Sequence, residues 1–168
     1  MSDGHGGARC SSYVSQNLHD LIFAHNYSEQ PQLALQEGFK ELDRHWLEMA
    51  QLNGWDDGST GVCCLLVERV LYVANAGDSR AVLCSKGGRA VDMSADHKPA
   101  REDEKQRIEK LGGRIIHYGT WRVQGVLAVT RSYGNSTDIM RRNHFDMRSL
   151  SHRRLCSCPV RSVSATAS

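Results

Sequence analysis

The chain has 168 residues, of which 40% are hydrophobic and 24% charged, values that are ordinary for a single-domain globular protein. Its net charge of +2 is too small to indicate a nucleic-acid partner. The sequence has neither an apolar run of about 18 residues nor a signal-peptide pattern, and its six cysteines form no recognisable disulfide framework. We therefore predict an intracellular protein, cytoplasmic or nuclear, without a membrane segment; the oligomeric state stays open.

Apolar residues at three- and four-residue spacing predict two helices in the first third of the chain. The helix over 8–26 has its apolar face at Val14, Leu18, Leu21 and Ile22. The helix over 31–51 has its apolar face at Leu35, Phe39, Leu42, Trp46 and Met49. Pro31 suits the first turn of the second helix, where a missing N–H costs nothing, and Asn53-Gly54 ends it.

Short apolar runs then replace the helical pattern and predict strands joined by tight turns. The predicted strands cover 62–67, 70–74, 81–84 and 90–93, and the first is expected to be buried on both faces. Their short connections, such as Lys86-Gly87-Gly88, require antiparallel pairing. A third helix over 101–111, ended by Gly112-Gly113, precedes further strands over 114–116 and 121–130.

The composition changes after Gly134. Residues 139–168 contain six arginines and one acid, and the stretch shows no apolar periodicity. We predict an α+β domain over 1–134, followed by a divergent, basic and disordered tail over 135–168.

Three acids are flanked by glycine: Asp3, Asp57 and Asp78. Carboxylate and carbonyl oxygens are the ligands that magnesium and manganese prefer. Taken singly, an Asp-Gly pair is more often a tight turn than a metal site. The order of the surrounding motifs therefore carries more information than any one acid.

Six segments stand in a specific order along the first 134 residues. They are Asp3-Gly4-His5-Gly6-Gly7, Asp57-Gly58-Ser59-Thr60, 73–81 with Gly77-Asp78-Ser79-Arg80, Asp96-His97-Lys98-Pro99, Arg107-Ile108-Glu109 with Gly112-Gly113, and 121–134. In this order they resemble the motifs of the metal-dependent serine/threonine protein phosphatases of type 2C, the PPM family. The resemblance covers residues 1–134.

The resemblance implies an antiparallel β-sandwich flanked by helices, which hydrolyses phosphoserine and phosphothreonine in proteins with a binuclear manganese or magnesium centre. Asp3 matches the carboxylate that bridges the two metals, and Gly4 the residue whose carbonyl reaches one of them. Asp78 matches an acid near a third metal position. His5 matches a general acid for the leaving alkoxide; the alternative is a loop histidine that holds backbone in place.

Several other residues are expected to have structural rather than catalytic roles. We expect Arg80, Asp96, His97 and Lys98 to brace loops and strands. For Arg131, contact with phosphate and a buried ion pair are the two alternatives. Phe39, Trp46 and Trp121 are predicted core residues, and Cys63 and Cys64 are predicted to be small buried apolar groups. Cys156 and Cys158, with His144 and His152 nearby, have the side-chain types of a zinc site, but their spacing is not that of a standard zinc finger.

The chain departs from the family pattern at both ends. The family pattern includes an upstream segment with a phosphate-binding arginine and an acidic metal ligand, and this sequence has no counterpart of it. Two later metal-binding carboxylates of the family also have no counterpart, and Asn135 stands where the family has an aspartate. We therefore expect a phosphatase domain truncated at both ends, with weak cation binding and impaired activity. The alternative function is a non-catalytic phosphatase-like binding module or regulatory fragment.

Overall fold

The computed structural model describes residues 2–85, 87–134 and 146–151, with side chains at 4–85 and 87–134. Within these ranges the elements are β1 (Ser2–His5), α1 (Arg9–Ala24), α2 (Pro31–Asn53), β2 (Gly58–Val67), β3 (Val70–Ala76), β4 (Val82–Cys84), β5 (Ala90–Asp92), α3 (Glu102–Lys110), β6 (Ile115–Tyr118), β7 (Thr120–Val123) and β8 (Asp146–Ser151). Every strand pair is antiparallel. This combination of helices and antiparallel sheets confirms the predicted α+β class.

A four-stranded sheet in the order β1-β2-β3-β8 forms the centre of the described fold. The long pairing of β2 with β3 runs from Gly61 opposite Ala76 to Val67 opposite Val70. On its other edge, β2 pairs with β1 over its first four residues only. The two hairpins β4–β5 and β6–β7 form separate two-stranded sheets.

Helices α1 and α2 pack on one face of this sheet, as their apolar periodicity predicts. The buried side chains of this cluster include Val14, Leu18, Ile22, Leu35, Phe39, Leu42, Trp46, Ala74 and Ala76. Pro31 is the first residue of α2, and Gly54 ends that helix with a φ of +66°, a left-handed conformation that costs glycine little. Both predicted helices and their core faces are therefore confirmed.

The opposite face of the sheet is covered less completely. Val62 and Val73 contact Ala81 and Met93 there in a small second cluster. Leu66, farther along β2, is 53% exposed because this cluster does not extend to it. The prediction that the strand is buried on both faces is therefore wrong at its far end.

The region after α3 differs from the prediction in two ways. β7 ends at Val123, because Gln124 (φ +52°) and the next residue reverse the chain, and the Val123 N–H donates to the Leu127 carbonyl at 2.8 Å. The expected strand over 121–130 is therefore a short strand and a turn. Trp121 is 44% exposed rather than buried, since it lies farther out on the hairpin than the cluster around Ile108 and Val123.

The predicted disordered tail differs from the structure at 146–151. These residues form β8, which pairs with β3 from Asn75 opposite Asp146 to Val70 opposite Ser151. Backbone hydrogen bonds supply this pairing, which does not require the apolar alternation that the sequence lacks. The rest of the predicted tail lies outside the described residues. None of the helices in the described part of the chain has the length and apolarity needed to cross a bilayer.

Candidate active site

Strand β1 carries the first three predicted site residues. In register with β2, Asp3, Gly4 and His5 lie opposite Thr60, Ser59 and Gly58. The ring of His5 lies over Gly58, where an added β-carbon would be 2.8 Å from His5 Cε1 and closer still to Nε2. The position of the imidazole therefore depends on the absence of a side chain at residue 58.

The turn that carries Asp78 contacts the same part of β2. Thr60 Oγ1 and Ser79 Oγ are 2.7 Å apart in a buried hydrogen bond, and a β-carbon on Gly77 would be 2.6 Å from Thr60 Cβ. Asp3 lies opposite Thr60 on the other edge of β2. The fold therefore brings the Asp3 backbone and the Asp78 turn to one end of the sheet, on either side of Thr60.

The carboxylate of Asp78 already has a cationic partner. Its Oδ2 atom accepts a hydrogen bond from Lys98 Nζ, and the side chains of Asp78 and Lys98 are 14% and 39% exposed. Any cation that used this carboxylate would compete with the lysine ammonium.

The residues around Asp78 have the bracing contacts predicted for them. Arg80 Nε and Nη2 donate to the two carboxylate oxygens of Asp96, both at 2.7 Å. His97 is fully buried; its backbone N–H donates to the Gly77 carbonyl at 3.0 Å, and its Nδ1 lies 3.1 Å from the Gly77 nitrogen. These contacts fasten the two loops to each other.

Asp57 also forms an ion pair, in which its own carboxylate is buried and the Arg9 side chain is half exposed. Asp57 is 1% exposed, and its carboxylate accepts hydrogen bonds from three groups of Arg9: the backbone N–H at 3.1 Å, Nε at 3.1 Å and Nη2 at 2.5 Å. The Arg9 side-chain hydrogen bonds hold the pKa of Asp57 below its ordinary value. This acid is therefore engaged by the start of α1.

Arg131 pairs with Glu104 rather than facing solvent. Arg131 Nε donates to both Glu104 oxygens, at 3.0 and 2.9 Å, while Thr130 Oγ1 donates to Glu104 at 2.5 Å. Of the two alternatives for Arg131, the structure supports the buried ion pair. Sequence reasoning missed Glu104, although its position four residues before the buried Ile108 placed an acid on the apolar face of α3.

The described residues do not fit a complete divalent-cation site. They hold no cluster of three or more His, Cys, Asp or Glu side chains suited to a metal ion. The carboxylates of Asp57 and Asp78 are each bound by a cationic side chain.

The cysteines show no sign of a catalytic role in the described part of the chain. Burial raises the pKa of Cys63 to about 11 and raises that of Cys64 as well, so neither thiol is activated. Both pack beside the apolar clusters, as expected of apolar groups, but they are partly buried rather than fully buried. The Cys156 and Cys158 cluster, with His144 and His152, lies outside the described residues.

Comparison with known proteins agrees with these motifs. The family model described as "Protein phosphatase 2C" matches residues 1–143. Over 134 residues, the chain is 46% identical to "Probable protein phosphatase 2C 52" and 48% identical to "Probable protein phosphatase 2C member 13, mitochondrial", both of Oryza sativa subsp. japonica. Each match covers 79% of this chain, but 27% and 37% of those relatives. The chain thus spans about a third of their length.

Solved structures show the same fold. A C. elegans sex determining protein superposes with a TM-score of 0.81 at 28% identity, over 89% of this chain and 38% of that one. The superposition, the family match over most of the chain and the order of the acidic loops lead to one conclusion: this chain belongs to the protein phosphatase 2C family.

Proposed function

We propose that this chain carries the part of a protein serine/threonine phosphatase that surrounds Asp3, Gly4, His5 and Asp78, with phosphoserine and phosphothreonine proteins as its substrates. We take residues 1–134 as the phosphatase-like part and 135–168 as a divergent tail. The single observation that carries this proposal is the convergence of β1 and the Asp78 turn on Thr60, at one end of the sheet.

His5 is the residue of this set that suits proton transfer. An imidazole can hold a proton near neutral pH, and an alkoxide leaving from phosphoserine or phosphothreonine needs one. Its place over Gly58 holds the ring at the end of the sheet that carries Asp3. We assign it the role of general acid for the leaving oxygen.

Asp3, the Gly4 carbonyl and Asp78 are the proposed contacts for manganese or magnesium, the cations that the family resemblance implies. We propose that this chain holds them weakly, because the described residues include no cluster of three metal-binding side chains and Asp78 is paired with Lys98. Weak cation binding gives low activity, since such cations supply charge neutralisation and an activated water in phosphoryl transfer.

Phosphate release from a phosphothreonine peptide tests this proposal. We expect the 168-residue chain to show slow, manganese-dependent release that Asp3→Asn abolishes and His5→Gln reduces. Asp20→Asn, at an exposed acid of α1, is the matched control and should leave the rate unchanged. Unchanged release by Asp3→Asn would contradict the assignment of the site. A rate equal to that of complete family members would contradict the proposed impairment.

A non-catalytic binding module is the second candidate, and one observation favours it. Both described glycine-flanked carboxylates, Asp57 and Asp78, are occupied by Arg9 and Lys98. In that case the chain would bind phosphoproteins or a regulatory partner without turnover. Binding of a phosphothreonine peptide that persists in Asp3→Asn and in the presence of a chelator, with no phosphate release, would favour this candidate over the first.

A further inference from the structure

The loop after His5 is in close contact with the side chain of Asp57. Gly7 has a φ of +152°, and a β-carbon there would lie 2.8 Å from Asp57 Cγ and closer still to Oδ2. Only glycine therefore allows the Asp57 carboxylate to approach the loop backbone at this point. The side chain of Asp57 and the loop that carries His5 share one contact surface.

Arg9 joins the same carboxylate to the first turn of α1. Its backbone N–H and its guanidinium donate to Asp57 from 48 residues away in sequence, and the guanidinium carbon lies 5.1 Å from the centre of the Trp55 ring. The loop between β1 and α1 is therefore held at its C-terminal end by hydrogen bonds from Arg9 to the carboxylate of Asp57, the residue just before β2.

Asp57 is itself fixed from the other side. Its carbonyl accepts a hydrogen bond from Trp46 Nε1 at 3.1 Å, and Trp46 is buried in the main core. The next residue, Gly58, leaves the space that the His5 ring occupies. One short segment thus holds the loop through the Asp57 side chain and provides room for the imidazole at Gly58.

We infer that Asp57 and Arg9 are positioning residues for His5. They act through the backbone of Gly6 and Gly7, which they keep in the conformation that places the imidazole over Gly58. This inference rests on the proposed role of His5. It assigns Asp57, a glycine-flanked acid with the chemistry of a metal ligand, to the support of the loop rather than to a cation.

Nuclear magnetic resonance on the isotope-labelled full chain tests this inference without substrate or cation. In Arg9→Gln and Asp57→Asn, we expect the His5 ring signals to move toward those of an unfolded chain. Amide hydrogen exchange at Gly6 and Gly7 should become about tenfold faster, the signature of local opening. Arg9→Lys, which keeps the charge and one donor, should move the His5 signals less than Arg9→Gln does.

Arg80→Gln is the matched control, because it removes another forked arginine–aspartate pair. It should leave the His5 and Gly7 signals unchanged. If Asp57→Asn does not fold, Arg9→Gln alone carries the test, since the Arg9 side chain is 52% exposed. Unchanged His5 signals, or faster exchange spread evenly over α1, α2 and the loop, would overturn the inference. Neither result depends on phosphate release, so the proposed function is judged separately.

Discussion

Arg131 and Glu104 form a buried pair that ties α3 to the segment before Gly134. The two residues are 27 positions apart in sequence, and their side chains are 14% and 1% exposed. Arg107 Nη2 also donates to Glu104, at 3.0 Å, and to the Thr130 carbonyl, at 2.8 Å. The Glu104 carboxylate thus joins α3 to the segment that follows Thr130. That segment reaches β2 at Tyr133, whose backbone exchanges two hydrogen bonds with Ser59.

Replacing Glu104 by glutamine should destabilise the fold strongly. The variant leaves two largely buried guanidinium groups facing an uncharged amide, and breaking a buried ion pair in this way costs about 3–5 kcal/mol. Urea unfolding at pH 7 measures the loss. Glu102→Gln, at an exposed position of the same helix, should change the free energy of unfolding by about 0.5 kcal/mol or less. Equal effects of the two substitutions would contradict the assigned role of the pair.

Protonation of Glu104 should contribute to the unfolding of the protein in acid. Burial by itself raises the pKa of Glu104, but hydrogen bonds from Arg131 and Thr130 and the nearby arginine charges outweigh it and lower the pKa from 4.5 to about 2. Because the folded pKa is depressed, this contribution is present above about pH 4.5 and is lost as the pH falls toward 2.

The lost contribution is about 3 kcal/mol, since one pKa unit corresponds to about 1.4 kcal/mol. The free energy of unfolding, measured between pH 6 and pH 2, should therefore fall less steeply in Glu104→Gln than in the unchanged chain. Parallel curves for the two proteins would show that other carboxylates control the acid transition.

A methyl group at residue 58 should displace His5. Gly58→Ala places a β-carbon 2.8 Å from both His5 Cε1 and the Tyr133 carbonyl oxygen, and overpacking of this kind costs about 1–3 kcal/mol. Thermal unfolding and the His5 ring signals measure the effect. Part of the cost should disappear when Gly58→Ala is made in a His5→Ala background, because the imidazole is then absent. An additive double variant would mean that the ring and residue 58 do not contact each other.

Removing the lysine beside Asp78 should strengthen manganese binding. In Lys98→Ala the Asp78 carboxylate no longer has its ammonium partner. A partly exposed ion pair is worth about 1 kcal/mol or less, so we expect the dissociation constant to fall by about two- to fivefold. Calorimetric titration with manganese measures it, and Lys40→Ala, at an exposed pair on α2, is the control. Unchanged affinity in Lys98→Ala would argue against Asp78 as a cation contact.

The cysteines should react at very different rates. Burial raises the pKa of Cys10, and it raises that of Cys63 to about 11, whereas Cys84 is exposed. With iodoacetamide at pH 8, Cys84 should be labelled first among the four cysteines that the structure describes, and Cys10 and Cys63 only after unfolding. Mass spectrometry of timed samples gives the order. Early labelling of Cys10 would show that α1 opens without global unfolding.

The amino-acid sequence was sufficient for the two long helices, for the antiparallel pairing of the central strands and for family membership. The spacing of Leu35, Phe39, Leu42 and Trp46 predicted α2 and its buried face, because a helix repeats every 3.6 residues and needs only an apolar stripe to pack. Short turns similarly predicted the antiparallel pairing of β2 with β3. The order of the acidic loops predicted the phosphatase 2C family.

Only the tertiary structure decided which cationic partners Asp57 and Asp78 have. Asp3, Asp57 and Asp78 look alike in sequence, yet Arg9 binds Asp57 from 48 residues away and Lys98 binds Asp78 from 20. The burial of Glu104 likewise depends on Arg131, which no local pattern connects to α3. A carboxylate takes its partner from whatever charge the fold brings within a few ångströms, and Coulomb attraction falls with distance in space, not along the chain.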